Sequence, residues 1–137
     1  TGPDLLRVGG KYNDNWHFNH FWNPQSISAG SIMPGYKWLF DNEAMDVSKT
    51  QKKMEAMVTL GVPYSAVQVA NAQKDLRAQA ISIEESLKND PDFVKSYEES
   101  KKKAAAKGEK FVPMNEREII ALIAYIQRLG TDIKVKK

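Results

Sequence analysis

The most regular hydrophobic pattern in the sequence lies near the carboxyl end of the chain. Five apolar residues recur there at spacings of three and four, which places them along one side of an α-helix. They are Ile119, Leu122, Ile123, Ile126 and Leu129. Asn115 is a candidate N-cap with a carboxylate, Glu118, at the third helical position, and Gly130 can end the helix. The pattern predicts a helix whose apolar stripe must pack against other apolar surface.

Two further helices are predicted between residues 46 and 90. One runs over about residues 47–60, with Asp46 as its N-cap and Gly61 at its end. The other begins at Ser65 and continues to about residue 88. Its apolar residues fall roughly on one face, which predicts a core-facing side. They are Val69, Leu76, Ala80, Ile83 and Leu87.

A third helix is predicted after Pro91, running to about Lys107 and ending at Gly108. Its apolar face is thin and contains Val94 and Tyr97, while lysine and glutamate dominate the rest. This charge density predicts a solvated helix or a mobile arm rather than a core element. No alternating pattern typical of a strand exceeds a few residues, so the predicted fold class is mainly α.

Residues 1–40 have a different character. They contain eight of the thirteen aromatic side chains, including all three tryptophans, and most of the glycines. Asp14 can cap a short helix over residues 15–22, which Pro24 then stops. Loop-rich segments with many aromatic rings frequently wrap a flat ligand or a partner surface.

Composition narrows the function classes. The chain has 137 residues, 42% of them hydrophobic and 27% charged, which is typical of one soluble globular domain. The net charge of +3 is spread over the chain without a basic block, which argues against nucleic-acid binding. Cysteine is absent, so these residues provide no disulfide, thiolate nucleophile, iron–sulfur ligand or covalent haem attachment. No run of apolar residues is long enough to span a bilayer.

Two histidines are the first candidates for acid–base or metal chemistry. His17 and His20 lie three residues apart and share a face of the predicted short helix. A zinc site normally needs three or four protein ligands, and only a few carboxylates lie nearby. We therefore interpret the imidazoles as structural groups that pack among the neighbouring aromatic rings. Serine-nucleophile motifs, phosphate-binding glycine loops and dinucleotide fingerprints are missing.

A methionine on a predicted loop is the second candidate. Met33 lies between Gly30 and Gly35 and is followed by Pro34, which stiffens the backbone. Most methionines fill hydrophobic cores, but a thioether is also a soft axial ligand for haem iron that raises its reduction potential.

The amino-terminal residues carry a resemblance to a known family. The residues concerned are Thr1 to Tyr12, Trp16-His17, Asn23-Pro24, Ser31-Ile32-Met33-Pro34-Gly35-Tyr36 and Trp38-Leu39. In order and spacing they resemble the monohaem c-type cytochrome subunit of cbb3-type cytochrome c oxidases. The predicted last helix resembles the carboxyl-terminal helix of the same family. The resemblance divides the chain into a haem-loop segment (1–40), a helical insertion (41–112) and a carboxyl-terminal cytochrome c helix with its tail (113–137).

The resemblance implies a partial class I cytochrome c-like fold and a set of haem contacts. Met33 would be the axial iron ligand opposite a histidine, and the carbonyl of Pro3 would accept the ring hydrogen of that histidine. Leu5 and Leu6 would line the haem face. Weaker candidates for contacts with the haem edge or propionates are Arg7, Trp16, Tyr36 and Trp38.

The function implied by the resemblance is electron transfer in aerobic respiration. Haem c would accept electrons from a donor cytochrome and pass them toward the oxygen-reducing catalytic subunit, beside the other haem c subunit of the oxidase. The setting implied is the periplasmic side of the bacterial inner membrane. The polypeptide itself would catalyse no reaction.

The absence of cysteine departs from the family pattern, since the family attaches haem through Cys-x-x-Cys-His. We therefore expect a fragment that begins downstream of this motif, lacks the first helix and the membrane anchor, and carries no haem by itself. The stripe of the last helix would then be covered by a rearranged helix or by a neighbouring chain in a non-native oligomer. Two alternatives remain at this point: a non-redox helical interaction module, and a small metal-dependent enzyme that uses His17 and His20.

Overall fold

The computed structural model describes residues 4–131 and is built from helices. Within this range there are six α-helices, three short 3-10 helices and no strand. The α-helices are α1 (Asp14–Trp22), α2 (Pro24–Ile27), α3 (Thr50–Thr59), α4 (Ala66–Leu87), α5 (Pro91–Lys107) and α6 (Glu118–Arg128). The 3-10 helices span Leu5–Arg7, Lys37–Phe40 and Met114–Glu116. The predicted fold class, mainly α, is confirmed.

Helix α6 lies at the centre of the hydrophobic core. Ile119, Ile120 and Ile123 have no accessible surface, and α6 packs against α4 and α1 of the same chain. Two core residues of α4, Ile83 and Leu87, belong to the same cluster. The remaining members of the apolar stripe are half-buried. The part of the stripe that is fully buried is thus covered by helices of this chain.

The start of α6 differs from the prediction. Asn115 does not cap it, because residues 114–116 form a 3-10 helix and α6 begins only at Glu118. Arg117 occupies the N-cap position and makes no side-chain capping bond. The predicted capping box at Asn115 was therefore wrong. At the other end, Gly130 has a φ of +77° directly after the C-cap, as the sequence predicted.

Helices α3 and α4 form an antiparallel hairpin. The predicted start of α3 at residue 47 was early, because the carboxylate of Asp46 accepts hydrogen bonds from the amide and hydroxyl of Ser48 and holds a turn there. Helix α4 has the predicted bounds and a capping box: Ser65 accepts from the amide of Gln68, whose side chain accepts from the amide of Ser65. A hydrogen bond from the Gln73 side chain to the Ser48 carbonyl joins α4 to the turn that precedes α3.

Helix α5 has the predicted bounds, but it is not merely a solvated helix or arm. Phe93 is buried within the core cluster, against Phe18 at a ring-centroid distance of 5.2 Å. Tyr97 also packs against the cluster, and Ala104 is buried. One helical face with a single large aromatic anchor is sufficient to join a highly charged helix to the core. The prediction that α5 lies outside the core was wrong.

Arg117 joins three separate parts of the chain beside α5. Its side chain is almost fully buried, and all five N–H groups of the guanidinium are used. They donate to the carbonyls of Phe40 and Val112, the hydroxyl of Ser100 and the amide oxygen of Asn42. This single side chain therefore connects residues 40–42 to α5 and to the approach to α6.

The first residues of the described chain dock on the end of α6. The side chain of Gln127 accepts from the amide of Gly10 and donates to the carbonyl of Tyr12 and the carboxylate of Asp14. Asn13, rather than the predicted Asp14, caps α1, because its side-chain oxygen accepts from the amide of Trp16 at 2.8 Å. Asp14 instead accepts from the hydroxyl of Ser86 on α4.

No helix within residues 4–131 is both long and apolar enough to cross a membrane.

Candidate haem site

Met33 lies on the loop between α2 and the 3-10 helix Lys37–Phe40, and its side chain is half-buried. The loop is fixed locally: the amide of Met33 donates to the Ser31 hydroxyl at 3.2 Å, and the amide of Ser31 donates to the Ser28 carbonyl at 3.0 Å. The preceding residue, Ile32, is fully exposed. The backbone thus presents Met33 on a short, ordered turn.

The far side of the Met33 loop is held against the end of α1. A side chain at Gly35 would bring its Cβ to 2.8 Å from the carbonyl oxygen of Trp22, so only glycine permits this approach. The amide of Tyr36 donates to the carbonyl of Phe21 at 2.8 Å. These two contacts fix the loop that carries Met33 relative to α1.

The predicted haem-face residues lie on the first 3-10 helix, Leu5–Arg7, which Asp4 caps by accepting from the amide of Leu6. Leu5 and Leu6 are 59% and 61% exposed, which is unusual for leucine and leaves an apolar surface available. Arg7 is exposed on the same turn. Pro3, predicted to contact the proximal histidine, lies outside the described residues.

Aromatic rings connect the other predicted site residues. Trp16 stacks on Tyr12 at 4.0 Å and on His20 at 4.5 Å between ring centroids. At the other end Tyr36 meets Trp38 edge to face at 5.0 Å. Phe21 contacts both His20 and Tyr36 and so links the two groups. Trp16, Tyr36 and Trp38 therefore belong to one continuous row of rings, of which Trp38 is the most exposed member, at 57%.

The two histidines pack within this row, as the structural interpretation predicted. His17 is buried and contacts the edges of Tyr12 and Trp16. Burial lowers the pKa of His17, opposed by the charge of Asp14, and burial also lowers the pKa of His20. His17 Nε2 and His20 Nδ1 have no hydrogen-bond partner. Among residues 4–131, no three His, Cys, Asp or Glu side chains are grouped to hold a metal ion.

These features fit part of a haem site. Met33 carries a thioether, which is a type of ligand that haem iron accepts, on a fixed loop, and Leu5, Leu6 and Trp38 have exposed apolar surface of the kind that a porphyrin covers. The chain has no cysteine, so it cannot itself form the thioether bonds of a c-type haem. The residues present therefore fit the Met side and the apolar wall of the site, without the attachment motif.

Comparison with known families decides the identity of the chain. Residues 1–133 match the family described as cytochrome C oxidase, mono-heme subunit/FixO. The chain belongs to this family. No curated protein sequence matches it. The match runs through residues 41–112, so the region predicted to be a helical insertion also lies within the matched part of the chain.

Family membership establishes the general role of the chain. It is a mono-haem subunit of a cytochrome c oxidase and takes part in electron transfer. The family is a haem-containing one, and its members are subunits of the oxidase complex. The resemblance noted in the sequence is thereby confirmed.

Several residues that position the site were not singled out from the sequence. Gly9, Arg117 and Gln127 fix the haem-loop segment to α6 and α5 through contacts between residues far apart in the chain. In the sequence, the Gly9-Gly10 pair indicates only a turn, and Gln127 lies on the polar side of a helix. A single sequence has no signal for such contacts, because each depends on where another segment ends in space.

Proposed function

We propose that haem c in the full-length subunit, attached through cysteines that the present residues lack, has Met33 as a ligand of its iron, and that the subunit passes electrons from a donor cytochrome toward the oxygen-reducing catalytic subunit. The proposed location is the periplasmic face of the bacterial inner membrane. The bound haem supplies the redox chemistry, while the polypeptide orients the haem and sets its potential. The observation that carries the proposal is the half-buried Met33 on a loop whose backbone is fixed at Ser31, Gly35 and Tyr36.

The fixation of the Met33 loop supports the ligand role. An axial thioether must point at one atom, and a loop held at Ser31 and again at Gly35 and Tyr36 restricts the backbone that directs it. Two other methionines, Met45 and Met54, are half-buried as well, but both lie outside the haem-loop segment. Met54 lies within α3, and Met45 lies before α3, where its amide donates to the carbonyl of Glu116. Met33 is therefore the methionine that the local structure best suits to this task.

The exposed apolar residues of the haem-loop segment support the second part of the role. Leu5 and Leu6 would lie against the porphyrin and exclude water, which keeps the reduction potential of the iron high. Trp16, Tyr36 and Trp38 would form the aromatic side of the site through their row of ring contacts. Arg7 would supply a positive charge for a propionate. We assign Pro3 the contact with the proximal histidine on the basis of the family resemblance alone.

The test is the visible spectrum of the haem-loaded, full-length protein beside the same protein carrying Met33→Ala. We expect a low-spin c-type spectrum whose methionine-to-iron charge-transfer band disappears in the variant. Met45→Ala is the matched control, because Met45 is equally half-buried but lies outside the haem-loop segment. The control should retain the band.

Two results would overturn the assignment. A protein that matures without haem c would remove the basis of the proposed site. An unchanged charge-transfer band in Met33→Ala would show that another residue ligates the iron, while leaving the membership of the oxidase family intact.

A further inference from the structure

The hairpin of α3 and the first half of α4 ends in an exposed apolar tip. We define the hairpin tip as residues 57–67, which include the end of α3, the connecting loop and the start of α4. Five large apolar side chains of the tip are exposed, with 79% of Leu60 and 68% of Val67 accessible. The five are Met57, Val58, Leu60, Tyr64 and Val67.

The hairpin tip projects away from the hydrophobic core. No residue of α3 is buried, and the core-cluster residues of α4 begin at Ala80. At the helical rise of 1.5 Å per residue, Val67 lies about 20 Å along α4 from Ala80. The exposed side chains of the tip therefore contribute nothing to the core, and they lie outside the candidate haem site.

Charge is excluded from the tip and from the turns that flank it. No Asp, Glu, Lys, Arg or His occurs between residues 56 and 73, although 27% of the chain is charged. An ordinary solvent-exposed helical hairpin would carry charged residues on both arms. Because they are absent, this surface can be transferred from water to an apolar environment without the burial of a charge.

Polar groups at the tip are bonded within the hairpin itself. The hydroxyl of Thr59 donates to the carbonyl of Glu55, and Ser65 and Gln68 satisfy each other's backbone amides. Gly61 ends α3 with a φ of +90°, and its amide donates to the carbonyl of Val58. Removing water from polar groups that are already hydrogen-bonded within the protein costs less free energy than removing it from unpaired ones. The tip is also preorganised, since these bonds hold its loop in one conformation.

Basic residues lie behind the tip on both arms. We define the basic collar as Lys52, Lys53 and Lys74. Lys53 precedes Leu60, and Lys74 follows Val67, each by seven residues, which corresponds to about 10 Å along a helix. Over residues 49–77 there are five basic residues against two acidic ones. The hairpin therefore combines an uncharged apolar end with a net positive region about two helical turns behind it.

We propose that the hairpin tip inserts into the interfacial layer of an anionic phospholipid bilayer, with the basic collar at the level of the headgroups. Interfacial elements bury their apolar side chains about 5–10 Å into the boundary between headgroups and acyl chains, which matches the distance from collar to tip. Tyr64 combines an apolar ring with a polar hydroxyl and suits that boundary. A protein groove would not require a positive collar, whereas anionic headgroups attract one. The proposal is independent of haem and of Met33.

The test is cosedimentation of the chain with lipid vesicles. Wild-type protein should bind vesicles of phosphatidylglycerol mixed with phosphatidylcholine more tightly than vesicles of phosphatidylcholine alone. The double variant Leu60→Ser/Val67→Ser should lower the partition coefficient at least about tenfold, because two exposed apolar side chains are removed. The triple variant Lys52→Gln/Lys53→Gln/Lys74→Gln should lose about tenfold or more on the anionic vesicles only.

Ile81→Ser/Val94→Ser is the matched control, since both side chains are 46% exposed but lie outside the tip. It should bind vesicles as the wild type does, and circular dichroism should show unchanged helix content in every variant. Absence of wild-type binding to the anionic vesicles would overturn the proposal, as would an equal loss in the control. Tip variants that bind vesicles normally but fail to join the detergent-solubilised oxidase would show that the tip docks on protein instead.

Discussion

The backbone amide of Gly9 donates a hydrogen bond to the carbonyl oxygen of Leu129 at 2.9 Å, which joins the haem-loop segment to the end of α6. The approach is so close that a Cβ at Gly9 would lie 2.5 Å from the carbonyl oxygen of Gln127 and closer still to that of Leu129. Gly130 makes the reciprocal approach to the backbone of Leu6. This contact positions the predicted haem-face residues on the core.

Gly9→Ala should destabilise the protein strongly, because backbone atoms on both sides would have to move apart. We expect a loss of about 2–3 kcal/mol in the free energy of unfolding, measured by urea denaturation. Gly10→Ala is the control, since it has open space around it and only its positive φ opposes a side chain. Its cost should be about 1–2 kcal/mol. Equal losses for the two variants would contradict the close-approach argument.

Arg117→Lys should also destabilise the protein, although the charge is kept. Lysine has three donors on one atom and cannot reach the carbonyls of Phe40 and Val112 together with Asn42 and Ser100. Unpaired buried groups remain, so we expect a loss of about 2–4 kcal/mol by urea denaturation. Arg77→Lys on the exposed side of α4 should change the stability by less than about 0.5 kcal/mol. A stable Arg117→Lys protein would refute the role of Arg117 as the link among these segments.

Phe93→Ala tests whether α5 belongs to the core. Removing a buried ring that contacts Phe18 should cost about 3–5 kcal/mol in unfolding free energy. Val94→Ala, at the neighbouring exposed position, should cost less than about 1 kcal/mol. Hydrogen exchange gives a second reading, since α5 amides should be protected in the wild type and lose protection in Phe93→Ala. A mobile arm would give small effects for both variants and no protection in either.

His17 should make the stability depend on pH. Burial lowers its pKa below the ordinary value of 6.5, so the unfolded state binds the proton more readily than the folded state. The free energy of unfolding is therefore highest above the pKa that His17 has in the unfolded state. It decreases as the pH falls from that pKa toward the lower pKa of His17 in the folded state. We expect the urea concentration at the midpoint of unfolding to decrease as the pH is lowered from about 7.5 to about 5.5, a range in which most carboxylates keep their charge.

His17→Phe should reduce this dependence, and the double variant with His20→Phe should nearly remove it, because the chain has two histidines. The slope of stability against pH is the reading that matters, since the substitutions also change the stability at all pH values. A slope that is the same in wild type and double variant would show that other groups cause the effect.

Much of the local structure could be predicted from the sequence. The bounds of α4 and α5 and the end of α6 follow from short-range signals: the Ser65 cap, Pro91, and the glycines at 108 and 130. The errors occurred where a neighbouring side chain competes for the same role. Asn13 rather than Asp14 caps α1, since Asp14 is bonded to Ser86 and Gln127. The turn at Asp46 and Ser48 likewise delays the start of α3.

Less of the candidate site could be predicted from the sequence. Met33 was singled out on its loop because Gly30, Pro34 and Gly35 surround it, and the resemblance added its proposed role. The amino acids that hold the loop, Phe21 and Trp22, could not be assigned, since they act through backbone carbonyls whose position depends on α1. The packing of α5 in the core was not predicted for a related reason. A single buried ring, Phe93, is enough to hold the helix in the core, while its charged side chains all face water.

Sequence patterns alone were sufficient to predict the helical class of this protein, the apolar stripe of α6, the Met33 loop and the relation to the oxidase family. Each is encoded in residues close together in the chain or in their order. The tertiary structure decided which helices cover that stripe, how Gly9 and Gln127 attach the haem-loop segment, how Arg117 is satisfied, and where the uncharged hairpin tip projects. These depend on contacts between distant residues, whose energies exist only after the chain has folded.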